Sequence, residues 1–177
     1  NTLIVYSTDH GDWLGDHGLL LKGPMAYEGL LRIGLLFEGP GVPAGKLVAD
    51  PVSTLDLAQT FCDYGGTALP GPVHSRSLRP LIERDDVTRD FASSEWDLRA
   101  SRCGVDLHLR TVRTRRHKLT LELISAAGEL YDLENDPREL TNRFDDPAYA
   151  PVRRELADMI ASRPADAVAP LPQIGMA

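Results

Sequence analysis

The chain opens on a short, near-continuous apolar run, Thr2 to Ser7 (TLIVYS), and a second follows at Ile33 to Phe37. Runs without polar alternation are the pattern of strands covered on both faces, as in a parallel sheet. Between them, Asp12 to Lys22 reads as loop, with Gly15 and Gly18. Gly23-Pro24 then predicts a helix start, with Pro24 in the first helical position. Glu28 and Arg32, four apart with the acid first, predict a helix-surface pair. Gly39-Pro40-Gly41-Val42-Pro43 is turn by composition. Ser53 to Asp56 predicts another helix, capped by Ser53 and closed by Gly65-Gly66. Leu55, Ala58, Phe61 and Cys62 are its expected buried stripe. Leu69 to Ser77 is a loop rich in Pro and Gly, and Leu78 to Arg84 a short helical turn.

From about residue 87 the pattern changes. Strands are predicted at Asp90 to Trp96, Leu109 to Thr114, Lys118 to Ile124 and Glu129 to Leu133. Their direct connections imply an antiparallel meander. Leu119, Leu121 and Leu123 alternate with Thr120 and Glu122, the period-two signature of a half-buried strand. Asp146-Pro147 opens a last helix with the stripe Tyr149, Val152, Leu156, Met159 and Ile160, and Pro164 ends it. The fold class is α/β. Residues 1–86 form part of a mixed, mostly parallel sheet with helices. Residues 87–163 form a small four-stranded antiparallel sheet with a closing helix, and 164–177 a tail with Pro170 and Pro172 and no pattern.

Composition narrows the function classes. Of 177 residues, 42% are apolar and 25% charged, and the net charge is −7. An acidic chain argues against nucleic-acid binding. No run approaches the ~18–20 apolar residues of a membrane helix. Cys62 and Cys103 have no metal-ligand spacing and read as free thiols, which favours the cytoplasm. An exported precursor stays open, because the chain opens on Asn1 and enters a strand at once, as a fragment would.

The candidate chemistry lies just past the first strand. Open α/β sheets place ligands beyond the carboxyl ends of their strands, and Asp9 and His10 stand there. A carboxylate beside an imidazole suits Mg²⁺, Mn²⁺, Zn²⁺ or Ca²⁺. Gly11 allows the bend that lets both face one ion. The competing reading is a turn with a capping aspartate. Lys22 is a point charge able to balance a tetrahedral anion. Asp16 and His17 repeat the Asp-His pair, either as a loop-holding pair or by orienting a ligand. The basic run Arg110, Arg113, Arg115, Arg116 and Lys118 reads as a solvated hairpin, with an anion-attracting rim as the sharper alternative. Glu95 and Trp96 end a strand near the expected cleft.

The run SxDHGxxLGDHGLLxKGPxxYExxxR from Ser7 to Arg32, followed by Phe37-Glu38-Gly39-Pro40-Gly41, resembles the C-terminal metal-binding segment of type I sulfatases. These belong to the alkaline-phosphatase-like superfamily. The runs Arg113-Thr114 to Lys118-Leu119 and GELYDLENDPRELTN, from Gly128 to Asn142, resemble the C-terminal subdomain of the same family. The resemblance implies that Asp9 and His10 are divalent-metal ligands, with Ca²⁺ favoured over Mn²⁺ or Mg²⁺. It implies that Lys22 contacts the sulfate and the ester oxygen as a catalytic group, and it leaves His17 as a second candidate contact to that anion. The family's nucleophile is a formylglycine made within C/S-x-P-x-R. Neither Cys62 (FCDYG) nor Cys103 (RCGVD) fits that motif, and the family's N-terminal Asp-Asp metal pair is also missing. The expected partners are therefore a small-molecule or sugar sulfate ester and the absent N-terminal half of the same fold. A phosphonate or phosphate ester hydrolase, or a non-catalytic metal- or anion-binding module, is the alternative.

Overall fold

The computed structural model describes residues 1–87, 89–100 and 104–164. Cys103 and the tail from Ala165 to Ala177, both subjects of the sequence reading, lie outside them. Four strands form the larger sheet in the order β3-β4-β5-β6, all antiparallel. They are β3 (Phe91–Leu98), β4 (Leu107–Thr114), β5 (His117–Glu122) and β6 (Gly128–Asp132). The register puts Val112 opposite Leu119, and Leu119 opposite Leu130. Residues in one such row share a face, and this row is the core. The final helix, α4 (Ala150–Ala161), lays Leu156 and Ile160 on it. Asp146 caps a 3₁₀ turn at Pro147–Tyr149 by accepting the Ala148 amide at 3.0 Å. Pro151 follows in the first turn of α4, where its missing N–H costs nothing. Each fully buried leucine here contributes about 1.5–3 kcal/mol.

The expectation of a half-buried β5 is corrected. Lys118 and Thr120, on the face away from α4, are buried as well. The hydroxyls of Thr111 and Thr120 meet at 2.9 Å across that face. Leu123 falls beyond the end of the strand and is exposed. Glu122 ends the strand instead, its carboxylate accepting the Ile124 and Ser125 amides and the Ser125 hydroxyl. Periodicity registers apolar side chains, so it is blind to a face covered through polar partners.

The N-terminal part departs further. β1 (Ile4–Ser7) pairs with β2 (Leu35–Glu38), and the pair is antiparallel, with Ile4 opposite Glu38 and Ser7 opposite Leu35. The expectation of buried parallel strands therefore fails for these two. Each alternates between a half-buried and an exposed face, and Ile4, Tyr6 and Leu36 face outward. Gly23 and Pro24 do not start a helix. α1 is the short segment Glu28–Leu31, and Gly23 instead packs on Trp13, where a Cβ would stand 2.9 Å from the ring. Nor do Glu28 and Arg32 form a surface pair. Arg32 only closes α1 through its amide to the Glu28 carbonyl, at 2.9 Å.

α2 (Leu55–Tyr64) forms where a helix was expected but is turned the other way. Asp56 and Thr60 are its buried residues, while Leu55, Ala58 and Phe61 are exposed. The cause is a polar core. Arg89 grips the Asp56 carboxylate with two nitrogens, and the Arg76 amide donates to it at 2.9 Å. Thr60 donates to the Asp56 carbonyl at 2.6 Å and accepts from the Leu78 amide at 2.9 Å. A fully buried carboxylate without such partners is prohibitive, so these contacts fix which face turns inward. Ser53 still accepts the Leu55 amide, at 3.3 Å, as a cap should. The short helix α3 (Arg79–Arg84) buries Leu81 and Ile82, and Cys62 is a free thiol.

Candidate metal and anion site

The turn after β1 is pinned by its backbone. The Gly11 amide donates to the Leu30 carbonyl of α1 at 2.8 Å. A Cβ on residue 11 would stand 2.0 Å from the Gly29 carbonyl oxygen, so only glycine fits there. The Trp13 amide donates to Leu21 at 3.1 Å and the Gly15 amide to Leu19 at 2.9 Å, which folds residues 13–21 back on themselves. Closing so tight a loop puts Leu14, His17 and Leu21 in the left-handed region. Each such residue costs about 1–2 kcal/mol. Lys22 follows the last of them and returns to the start of the turn.

There it meets the predicted ligands. His10 Nδ1 lies 2.7 Å from the Gly11 carbonyl oxygen. A carbonyl can only accept, so Nδ1 holds the proton and Nε2 keeps its lone pair. Lys22 Nζ, a donor only, points at that lone pair from 2.9 Å. Asp9 Oδ2 is 3.6 Å from the same nitrogen, and Asp9 Oδ1 accepts the His10 amide at 3.0 Å. That amide, with a smaller pull from the Lys22 ammonium nearby, holds the Asp9 carboxyl below the usual carboxylate range. One anionic oxygen, one neutral imidazole nitrogen and one ammonium thus converge on an exposed spot. Asp9 keeps 89% of its side-chain surface.

The oxygen and the nitrogen have the right chemistry for a divalent cation, and Nε2, which here accepts from Lys22, is the ring atom that would face it. They supply one side of its coordination shell. Ca²⁺ takes about six to eight oxygen ligands. Among the described residues no group of three or more His, Cys, Asp or Glu side chains gathers to hold a metal. The donor set fits the group as a half-shell.

The other sequence candidates go elsewhere. His17 is stacked on Tyr27, with ring centroids 3.7 Å apart and planes 6° from parallel. The structure does not gather it with Asp9, His10 and Lys22. The basic run is not a solvated hairpin either. Arg110 is buried and chelates Asp97, Arg113 reaches Glu28 at 3.4 Å, Arg116 chelates Asp132, and Lys118 is buried beside Glu28 and Glu139. Arg115 alone in this run is exposed without an ion pair among the described residues. Asp9, His10 and Lys22 line an open cleft of about 1570 Å³, and Ser94, Trp96 and Arg115 line it too. Trp96 was a candidate from the sequence, but local spacing could not place it on the same cleft as Lys22. The sign available was its place on β3 beside the segment Gly23-Pro24, which only the folded chain reveals.

A strand-and-helix part beside a four-stranded antiparallel sheet with a closing helix is a fold of the alkaline-phosphatase-like type. The chain belongs to the type I sulfatase family, of which it matches the C-terminal region: the family model for N-sulphoglucosamine sulphohydrolase, C-terminal, covers residues 15–165. It is 33% identical over 162 residues to a Δ4,5-hexuronate-2-O-sulfatase of Bacteroides thetaiotaomicron, covering 88% of this chain and 33% of that protein. Among solved structures it resembles a phosphonate monoester hydrolase of Agrobacterium radiobacter, with TM-score 0.79 and 32% identity over 91% of this chain and 34% of that one. It also resembles a protein solved with its substrate D-glucosamine-2-N,6-O-disulfate, with TM-score 0.75 and 28% identity over 90% and 33%. The chain spans about a third of the length of these relatives.

Proposed function

We propose that this chain is the C-terminal part of a sulfuric ester hydrolase that acts on sulfated sugars or other small sulfate esters. The observation that carries the reading is the convergence of Asp9, His10 and Lys22 in the lining of an open cleft. Asp9 and His10 would hold a divalent cation, Ca²⁺ by family resemblance. When bound, that cation neutralises charge on the ester's oxygens and lowers the pKa of the attacking group. Lys22 supplies a fixed ammonium beside the anion and stabilises charge that builds on an oxygen of the sulfate or of the leaving alcohol. The strained loop, closed on Trp13, keeps that ammonium within reach of His10.

The attacking group and the remaining metal ligands belong to the portion of the fold that the sequence does not contain. The outward-facing Ile4, Tyr6, Leu36, Leu55 and Phe61 give that portion an apolar surface to pack on. By itself, then, the chain has no appreciable turnover. The test compares aryl sulfate with aryl phosphonate esters, on the chain alone and joined to the complete upstream fold. The reading expects metal-dependent sulfate hydrolysis only in the joined protein, with Lys22→Ala lowering kcat. Turnover by the chain alone would overturn it. A phosphonate ester hydrolase is the second reading, favoured by the Agrobacterium relative, which is as similar to this chain as the sulfatases are. A preference for the phosphonate would decide for it.

A further inference from the structure

The turn that carries Asp9 and His10 does not rest on its own strand alone. Its Gly11 amide is held by the Leu30 carbonyl, and the Gly29 carbonyl lies against Gly11 with no room for a side chain. Both carbonyls belong to α1, a helix of one turn. A helix that short has no stability of its own, since nucleation is the costly step. What holds α1 comes from the other subdomain. The Glu28 amide, at its first residue, donates to Glu139 Oε2 at 2.7 Å across 111 residues of sequence. The Glu28 carboxylate faces Arg113 at 3.4 Å and Lys118 at 3.6 Å. Lys118 and Glu139 are themselves paired, and both are buried.

We infer that Glu139 and Lys118 are positioning residues for the Asp9–His10 turn, acting through Glu28 and α1; this rests on the metal-site reading of that turn. Each link is short and directional: Glu139 to the Glu28 amide, α1 to Gly11, and Gly11 to the His10 ring through its carbonyl. A cluster of two carboxylates and two cations, nearly dry, has few alternative arrangements, because any shift leaves a buried charge without a partner. Apolar packing at the same seam would tolerate sliding. The ionic arrangement does not, and it transmits the location of β5 to the cation half-site. Neither Glu139 nor Lys118 touches the substrate or the cation in this account.

Amide hydrogen exchange in the chain tests the inference without recourse to activity. Glu139→Ala removes the acceptor of the Glu28 amide, while Glu139→Gln keeps an acceptor and loses only the charge. The inference expects Gly11 amide exchange to rise about tenfold in Glu139→Ala and to return most of the way in Glu139→Gln. The amides of Leu119, Leu130 and Leu156 keep their protection. Unchanged Gly11 protection, or a rise shared equally by Gly11 and the β5–α4 core, overturns it. Should Glu139→Ala fail to fold, Glu28→Gln is read by the same two criteria, since the Glu28 carboxylate is less deeply buried than that of Glu139. The readout also separates this inference from the sulfatase reading. Loss of Gly11 protection in the Glu139→Ala chain, together with no ester hydrolysis by the unsubstituted protein joined to its complete upstream fold, leaves the inference standing and ends the other.

Discussion

The two halves of this chain solve burial differently. In the β3–β6 sheet with α4, both faces are covered from within the chain, and Leu119 and Leu130 are 0% exposed. In the β1–β2 ribbon and along α2 the apolar faces look outward, with Ile4 59% and Leu36 65% exposed. The polar side of α2 carries the interior contacts instead, around Asp56 and Arg89. A two-stranded ribbon is marginal on its own. The C-terminal half therefore closes a core on itself, and the N-terminal half leaves apolar side chains exposed. The candidate site sits on the half with the open apolar faces.

Substitutions at matched leucines break the comparison most severely if it is wrong. Leu119→Ala is expected to destabilise the chain by about 2–5 kcal/mol, read as a shift in the urea midpoint. Acid should produce a smaller loss, and it should come from the C-terminal half. Burial holds the His117 imidazole below its ordinary pKa of 6.5. A base whose folded pKa is depressed contributes stability that is full above the unfolded value and is lost as pH falls through it. Arg116, chelating the Asp132 carboxylate, holds that acid well below 3.8. Its contribution is likewise present above the unfolded pKa and lost on acidification. Glu129, raised by burial, works in the opposite sense and offsets part of the loss. Thermal melts should therefore decline from pH 7 toward 5 and more steeply below 4; a flat profile would remove these groups from the account. The smallest effect belongs to the open faces. Leu36→Thr in β2 should shift stability by no more than about 0.5 kcal/mol while making the chain more soluble. A loss as large as that of Leu119→Ala would mean that Leu36 is covered in solution.

The C-terminal half was legible because its sequence follows the rules of a self-contained sheet. Leu119 and Leu121 alternate, Asp146-Pro147 caps, and the stripe from Tyr149 to Ile160 matches one helix face. The N-terminal half misled for a physical reason. Apolar runs such as TLIVYS and the stripe of α2 record that a surface is to be buried, not which chain buries it. Charges misled too: the arginines after Leu109 look solvated in a row, yet long-range partners such as Asp97, Glu28 and Asp132 cannot be seen in local spacing. The bend at Gly11 and the proximity of Lys22 to His10 follow from a short loop returning to its start, and motif order captured both. His17 did not follow, because its backbone twist turns the ring onto Tyr27.

The account stands or falls on whether Asp9 and His10 share a cation. Titrating Mn²⁺ into ¹⁵N-labelled chain and mapping the amides it broadens addresses this directly. The account predicts that broadening begins at Asp9, His10 and Gly11 and disappears in both Asp9→Ala and His10→Ala. Broadening centred on another acidic region, or unchanged by either substitution, would contradict it.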